Sequence, residues 1–377
     1  MTSKILRGGV SALGLAAALT YGATTASATE GYFQTGYGVI QKAQAGAGVA
    51  NPEDAMTLSV NPAGLVSVGR QFEAAFTLFS PHRDYTASNF GPGGFMGPMP
   101  GKHESSSKIF LMPNMAYSSP IDSQSAWGVA LFGNGGMNTN FHDPVFGVRG
   151  TGVNLEQMFL TVGYARRMGD ISIGVAPVVA MQKFRADGLQ NFRIMSLSPG
   201  NMTSGDDDYS YGGGARLGLQ WDLTKTLRFG LSGQSQIWMS KLDKYAGLFA
   251  NGGEFDIPAS ITAGLAWDAA PNLTLMADYR HIFYSAIPAI SNSSNNFLRC
   301  GPATPQFCFG GSQGSGFGWS DVDVISVAAA WKATKDLTLR AGYSHNTNPV
   351  SSANVMMNIL APGVVTDHIS AGLSYAW

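Results

Sequence analysis

The sequence predicts an all-β protein, a transmembrane antiparallel β-barrel whose lumen is filled by its own N-terminal segment. Three observations carry that expectation. Apolar residues recur with a period of two along most of the chain, as in Ile369-Ser-Ala-Gly-Leu-Ser-Tyr-Ala-Trp377, which gives each strand one oily and one small or polar face. The connections between these segments alternate between short and long, as in barrels with short inner turns and long outer loops. Aromatic residues stand on the oily face beside the short turns: Tyr117, Trp127, Tyr164, Trp221, Trp267, Trp331 and Trp377. Such rings place an apolar body in lipid and a polar tip among headgroups.

Composition agrees. Only 12% of the 377 residues are charged, against roughly 25% in an ordinary globular chain. The net charge of -1 lacks the basic field that nucleic-acid binding requires. After the N-terminus no apolar run reaches the length of a spanning helix, about 18 residues. A soluble β-sandwich would share the alternation, but would turn every 8–12 residues or so rather than alternate short and long.

The elements follow in order. Residues 1–28 read as a secretory leader, with Lys4 and Arg7 before a small apolar run and Ala26-Ser-Ala28 as the cleavage site. Residues 29–70 are Gly/Ala-rich with no strong alternation, which suits short pieces folded inside a lumen. Residues 71–377 form the barrel. Twelve strands are counted, centred on 72–79, 109–117, 127–131, 158–164, 171–179, 215–221, 227–231, 261–267, 273–279, 325–331, 337–343 and 369–377. Eight strands can be filled by side chains and sixteen leave a water channel, so about twelve call for a plug. Glu73, Arg216, Arg228, Asp278, Arg280 and Arg340 fall on the inner faces, where they are expected to pair with one another or with the plug. Trp319 is assigned to the outer aromatic girdle.

Cys300 and Cys308 lie in a Gly/Ser/Asn/Pro-rich stretch. Export permits a disulfide between them, which would staple one outer loop; two free thiols are the alternative. Neither has His or acidic neighbours at metal-ligand spacing. The six histidines form no sequence motif with a serine and an acid, so no catalytic, metal or cofactor site is assigned.

The run Gly46-Ala-Gly-Val-Ala-Asn-Pro-Glu-Asp-Ala55, followed by Leu58-Ser-Val-Asn-Pro-Ala-Gly-Leu65, resembles the hatch of the FadL-type outer-membrane transporters of long-chain fatty acids and hydrocarbons. Asn61, Pro62 and Ala63 match the hatch triplet. Phe255-Asp-Ile-Pro-Ala259, Gly318-Trp-Ser-Asp321 and Leu339-Arg-Ala-Gly-Tyr343 also resemble the family, so the likeness spans nearly the whole mature chain. It implies fourteen strands against the twelve counted. It also implies a Gram-negative outer-membrane location in contact with lipid and lipopolysaccharide, and no enzymatic activity. The substrate is a hydrophobic small molecule, first of all a long-chain fatty acid. Ligand leaves sideways where the third strand kinks. Here that strand meets Gly133, Asn134, Gly135 and Gly136, which mark either the exit or simply the start of an outer loop.

Greasy outer loops offer Leu189, Phe192, Ile194, Met195, Leu248 and Phe249 as ligand contacts, or as loop-to-loop packing. Lys183, Arg185 and Arg193 border them as candidates to meet a carboxylate. A monomer is expected. An outer-membrane enzyme acting on lipid, or a structural or adhesin barrel, is the competing reading.

Overall fold

A computed structural model describes residues 29–88, 97–146 and 149–377. The expected leader, residues 1–28, lies outside them.

Twelve wall strands run antiparallel, each bonded to its sequence neighbour. They are β1 (Gln71–Phe79), β2 (Phe110–Pro120), β3 (Ser125–Phe141), β4 (Thr151–Met168), β5 (Ile171–Asp187), β6 (Asp208–Asp222), β7 (Leu227–Gln234), β8 (Ser260–Ala270), β9 (Leu273–Ile282), β10 (Val322–Lys332), β11 (Leu337–Asn346) and β12 (Asp367–Tyr375). Among the described residues β1 and β12 are not bonded to each other; the short hatch helix Gly38–Ala43 touches both. A bilayer needs about 9–11 residues per strand. The 17, 18 and 17 residues of β3, β4 and β5 therefore project well beyond it on the outer side.

The period of two is visible as burial. Along β5 exposed and buried positions alternate almost without a break, with Ile173, Val175 and Val179 outward and Ala176, Val178 and Ala180 inward. The outward rows of β1 (Phe72, Phe76, Leu78) and β12 (Ile369, Leu373) are equally bare, which in water would be unsustainable and in lipid is the wall's natural face. Trp127, Tyr164, Trp221, Trp267 and Trp331 stand exposed beside the inner turns. Trp319 does not join an outer girdle. It is buried, and its indole N–H donates to Asn358 Oδ1 at 2.5 Å; the long loop that carries it folds over the lumen, so an aromatic here packs inward.

The N-terminal segment, residues 29–70, lies inside the wall. It comprises a hairpin pairing Thr29–Glu30 with Phe33–Gln34, the helix Gly38–Ala43, short 3-10 turns at Ala55–Ser59 and Pro62–Gly64, and a last turn at Leu65–Val68. Small inner-face residues let its backbone approach the wall: a Cβ on Gly218 would lie 2.1 Å from Asn61 Oδ1, and one on Gly174 would lie 2.4 Å from Ala63 N.

Candidate functional site

The hatch triplet builds a small joint. Pro62 occupies the first position of its 3-10 turn, where a missing N–H costs nothing. Asn61 caps that turn by accepting from Ala63 N at 3.1 Å, and its amide donates to Val49 O at 2.9 Å and to Leu219 O of β6 at 3.1 Å. One buried side chain thus ties two parts of the hatch to the wall.

Charged groups extend the grip. Arg280 pairs with Glu30 at 2.9 Å, and Arg340 pairs with Glu53 at 2.5 Å. Arg228 holds Asp268 at 2.7 Å and Asn51 at 2.9 Å. Arg216 donates to Ser59 O and Gln234 Oε1. Asp278 accepts from the backbone N–H groups of Gly48 and Val49 at 2.8 and 2.9 Å. The inner-face charges therefore all serve the plug directly, Glu73 through the Asp54 carboxyl and the Met56 backbone of the hatch. Loss of water on burial, and to a lesser degree the neighbouring Glu53 charge, push the Asp54 carboxyl of the hatch above the usual carboxylate range.

The strand β3 does not end at Gly133. It continues to Phe141 with a bulge at Asn134, where Gly133 opposes Met158 and Gly135 opposes Gln157. An extra residue bends a strand and opens its ladder. The hatch hairpin sits on this bulge. Phe33 pairs with Gly135, Gly136 N donates to Tyr32 O at 3.1 Å, Gln34 donates to Gly133 O at 2.7 Å, and Tyr37 donates to Asn134 Oδ1 at 2.8 Å. A Cβ on Gly135 would lie 1.9 Å from Tyr32 O; glycine is what allows the hairpin to close against the wall.

Above the hairpin, the outer loops enclose an apolar cavity of about 40 Å³. Leu189, Phe192, Leu248 and Phe249 line it together with Phe184 of β5, Phe309, Phe317, Met357 and Leu360. Every side chain in its lining is uncharged. Met195 packs at its margin as a partly buried neighbour of the core, whereas Ile194 is 78% exposed. Lys183 pairs with Glu156 at 3.0 Å, Arg185 pairs with Asp187 at 2.9 Å, and Arg193 is exposed. None of these three cations lines the cavity. Cys300 and Cys308 are bridged, with Cα atoms 4.5 Å apart. The bridged loop carries Phe297 and Phe309, whose rings lie 5.3 and 5.5 Å from Phe192.

The rings continue downward. Phe184 and Phe249 are 4.7 Å apart, Phe249 and Phe255 4.8 Å, Phe255 and Tyr32 6.5 Å, and Tyr32 and Phe33 5.2 Å. A file of aromatic faces thus leads from the outer cavity to the hairpin residue that covers the bulge. Phe255, Tyr32 and Phe33 were not singled out as ligand contacts by sequence. The Phe255-Asp-Ile-Pro-Ala259 motif was the available signal. A larger polar mouth of about 610 Å³, lined by Arg167, Lys225 and Arg228 among others, opens beside the inner turns; its charge makes it unsuited to hold grease.

A family described as outer membrane protein transport protein (OMPP1/FadL/TodX) matches residues 17–377. The long-chain fatty acid transport protein of Escherichia coli K12 is 23% identical over 366 residues, covering 86% of this chain and 79% of the relative. In structure the chain is similar to the Pseudomonas putida toluene transporter TodX, with a TM-score of 0.65, 19% identity and coverage of 93% and 91%. It is also similar to a Pseudomonas aeruginosa FadL homologue, with a TM-score of 0.61, 17% identity and coverage of 92% and 87%. The chain belongs to the OMPP1/FadL/TodX family, the Gram-negative outer-membrane barrels that transport hydrophobic compounds rather than catalyse a reaction.

Proposed function

We propose that this protein takes up uncharged hydrophobic molecules of the size of a monoaromatic hydrocarbon, by an outer apolar site, a shift of the hatch hairpin and sideways exit at the β3 bulge. The observation that carries this reading is the file of rings from Phe184 through Phe249, Phe255 and Tyr32 to Phe33, which pairs with Gly135. An apolar guest gains roughly 25 cal/mol for each Å² it removes from water, and aromatic faces add edge and stacking contacts. Moving along such a file exchanges one apolar contact for the next. At its end the hairpin and the adjoining Tyr37 are held by three hydrogen bonds to Gly133–Gly136, so freeing the outlet requires a local shift and leaves Asn61 and its joint in place.

A long-chain fatty acid, suggested by the curated relatives, needs a partner for its carboxylate. Burying an ionised carboxylate unpaired is very costly, and Lys183, Arg185 and Arg193 all stand away from the cavity. An uncharged guest fits the lining without that penalty. Uptake of labelled toluene and labelled oleate, in an outer-membrane strain lacking other members of the family, tests the choice. Toluene uptake that depends on this protein is expected. Protein-dependent uptake of oleate alone overturns the substrate assignment.

A further inference from the structure

A second cavity, also about 40 Å³, lies in the lumen below the hairpin. Its chemistry is opposite to that of the outer one. Thr35 of the hatch lines it with Arg216, Gln234, Asp278, Arg280 and Ser326 of four different wall strands. Four polar atoms of these residues are buried and have no partner within the protein: Thr35 Oγ1, Gln234 Nε2, Asp278 Oδ1 and Arg280 Nε. Thr35, Gln234 and Asp278 are each at least nine-tenths buried. Orphaned groups of this kind cost free energy unless something satisfies them.

We propose that this chamber is a binding site for a small cluster of ordered water that joins hatch to wall and forms a polar floor beneath the substrate route. The identity of the guest follows from the atoms offered. Gln234 Nε2 and Arg280 Nε donate, Asp278 Oδ1 accepts, and the Thr35 hydroxyl does both. An anion would meet the Asp278 carboxylate oxygen. A cation would meet Arg216 and Arg280. A neutral guest that both donates and accepts satisfies all four atoms, and the volume admits about three waters. An apolar molecule that came straight down the lumen would have to displace that water and leave the same four atoms unpaired. The site therefore turns hydrophobic cargo towards the β3 bulge instead of down the lumen.

This inference rests on the proposed uptake of apolar molecules, and one experiment separates the two. The full-length protein is crystallised, and crystals are soaked with bromobenzene, whose bromine scatters anomalously. The expected result is a bromine peak in the outer cavity beside Phe184 and Phe249, with water peaks in the chamber bonded to Thr35 Oγ1, Gln234 Nε2 and Asp278 Oδ1. Bromine in the chamber, or a chamber without water at those atoms, overturns the inference. A missing bromine peak at Phe184 and Phe249 counts against the uptake reading alone. In Thr35→Val, which keeps the side-chain shape, the water peak at position 35 should be lost while the hatch stays docked. A water peak unchanged in that variant also overturns the assignment.

Discussion

Two cavities of about the same volume face each other across the hatch hairpin. The outer one is lined by phenylalanine, leucine and methionine and is stapled by a disulfide loop. The inner one is lined by arginine, aspartate, serine and amides, and its surroundings are held by ion pairs between hatch and wall. The contrast assigns different work to the two halves. On the proposed route, grease above receives the cargo, where binding strength grows with buried apolar area. Polarity below fixes the plug, because paired buried charges are strongly resistant to losing either partner. On that route the cargo meets the boundary where Phe33 pairs with Gly135.

The largest effect should come from reversing the chemistry of the outer half. Phe249→Asp places a carboxylate among Phe184, Phe255 and Leu248, where no cation lines the cavity. The penalty for desolvating that charge predicts a loss of toluene uptake of about a hundredfold or more. A heat-dependent gel shift should still report an assembled barrel. Uptake within twofold or so of wild type would remove the outer cavity from the route.

The boundary itself should respond next. Gly133 is the tractable position, since an added Cβ would meet the end of the Gln34 side chain at 3.3 Å and the Gln157 carbonyl oxygen at an ordinary 3.7 Å. Gly133→Leu should fill the bulge with the hairpin still docked and lower uptake roughly tenfold, a change of about 1.4 kcal/mol in a barrier. Gly135→Ala should act differently, because its Cβ falls on Tyr32 O. It should displace the hairpin and expose residues 29–37 to protease in intact outer membranes. Equal protection of both variants would break the distinction between filling the outlet and unlatching it.

The inner half should yield a smaller loss of uptake and a clear loss of order. Asn61→Ala leaves Val49 O and Leu219 O without their donor and removes the turn cap. At about 1–3 kcal/mol for each buried group left unsatisfied, hydrogen exchange across 55–68 should quicken markedly while the wall strands keep their protection. Uptake should fall several-fold. Exchange that is unchanged would mean the triplet is not the joint.

The twelve strands, the short and long connections and the plug were legible in the sequence because lipid imposes a strict period of two, and a plug shows itself by lacking one. Asn61, Pro62 and Ala63 were legible as a motif. Leu189, Phe192, Leu248 and Phe249 were found as apolar residues in loops that have no reason to be apolar. Lys183 and Arg185 were placed beside the ligand because they are adjacent in sequence. Yet alternation along β5 sends side chains of successive residues to opposite faces, so Phe184 points in while Lys183 and Arg185 point out to pair with Glu156 of the neighbouring strand and with Asp187 two residues along. Trp319 was misplaced for a related reason, since periodicity is silent about which way a long loop folds. The aromatic file was out of reach, because Tyr32 of the hatch, Phe184 of β5 and the pair Phe249 and Phe255 of one outer loop come from three separate segments that only the fold brings together.

The smallest effect is expected at the disulfide. The bridge spans only 8 positions in sequence, and closing so short a loop contributes at most about 3 kcal/mol, local to that loop. No wall strand depends on it. Its consequence for the outer cavity is indirect: the bridged loop positions Phe297 and Phe309 against Phe192, and Phe309 N donates to Met195 O at 2.9 Å. Serine at both Cys300 and Cys308 should therefore leave the barrel assembled and its gel shift unchanged, while the Phe309 side of the cavity loosens. Toluene uptake should fall by about twofold, equivalent to roughly 0.4 kcal/mol. Mass spectrometry of a non-reduced digest verifies the bridge in the parent protein. A double-serine variant that fails to assemble would show that the outer half supports the wall, and the division between cargo-binding and structural halves would have to be redrawn.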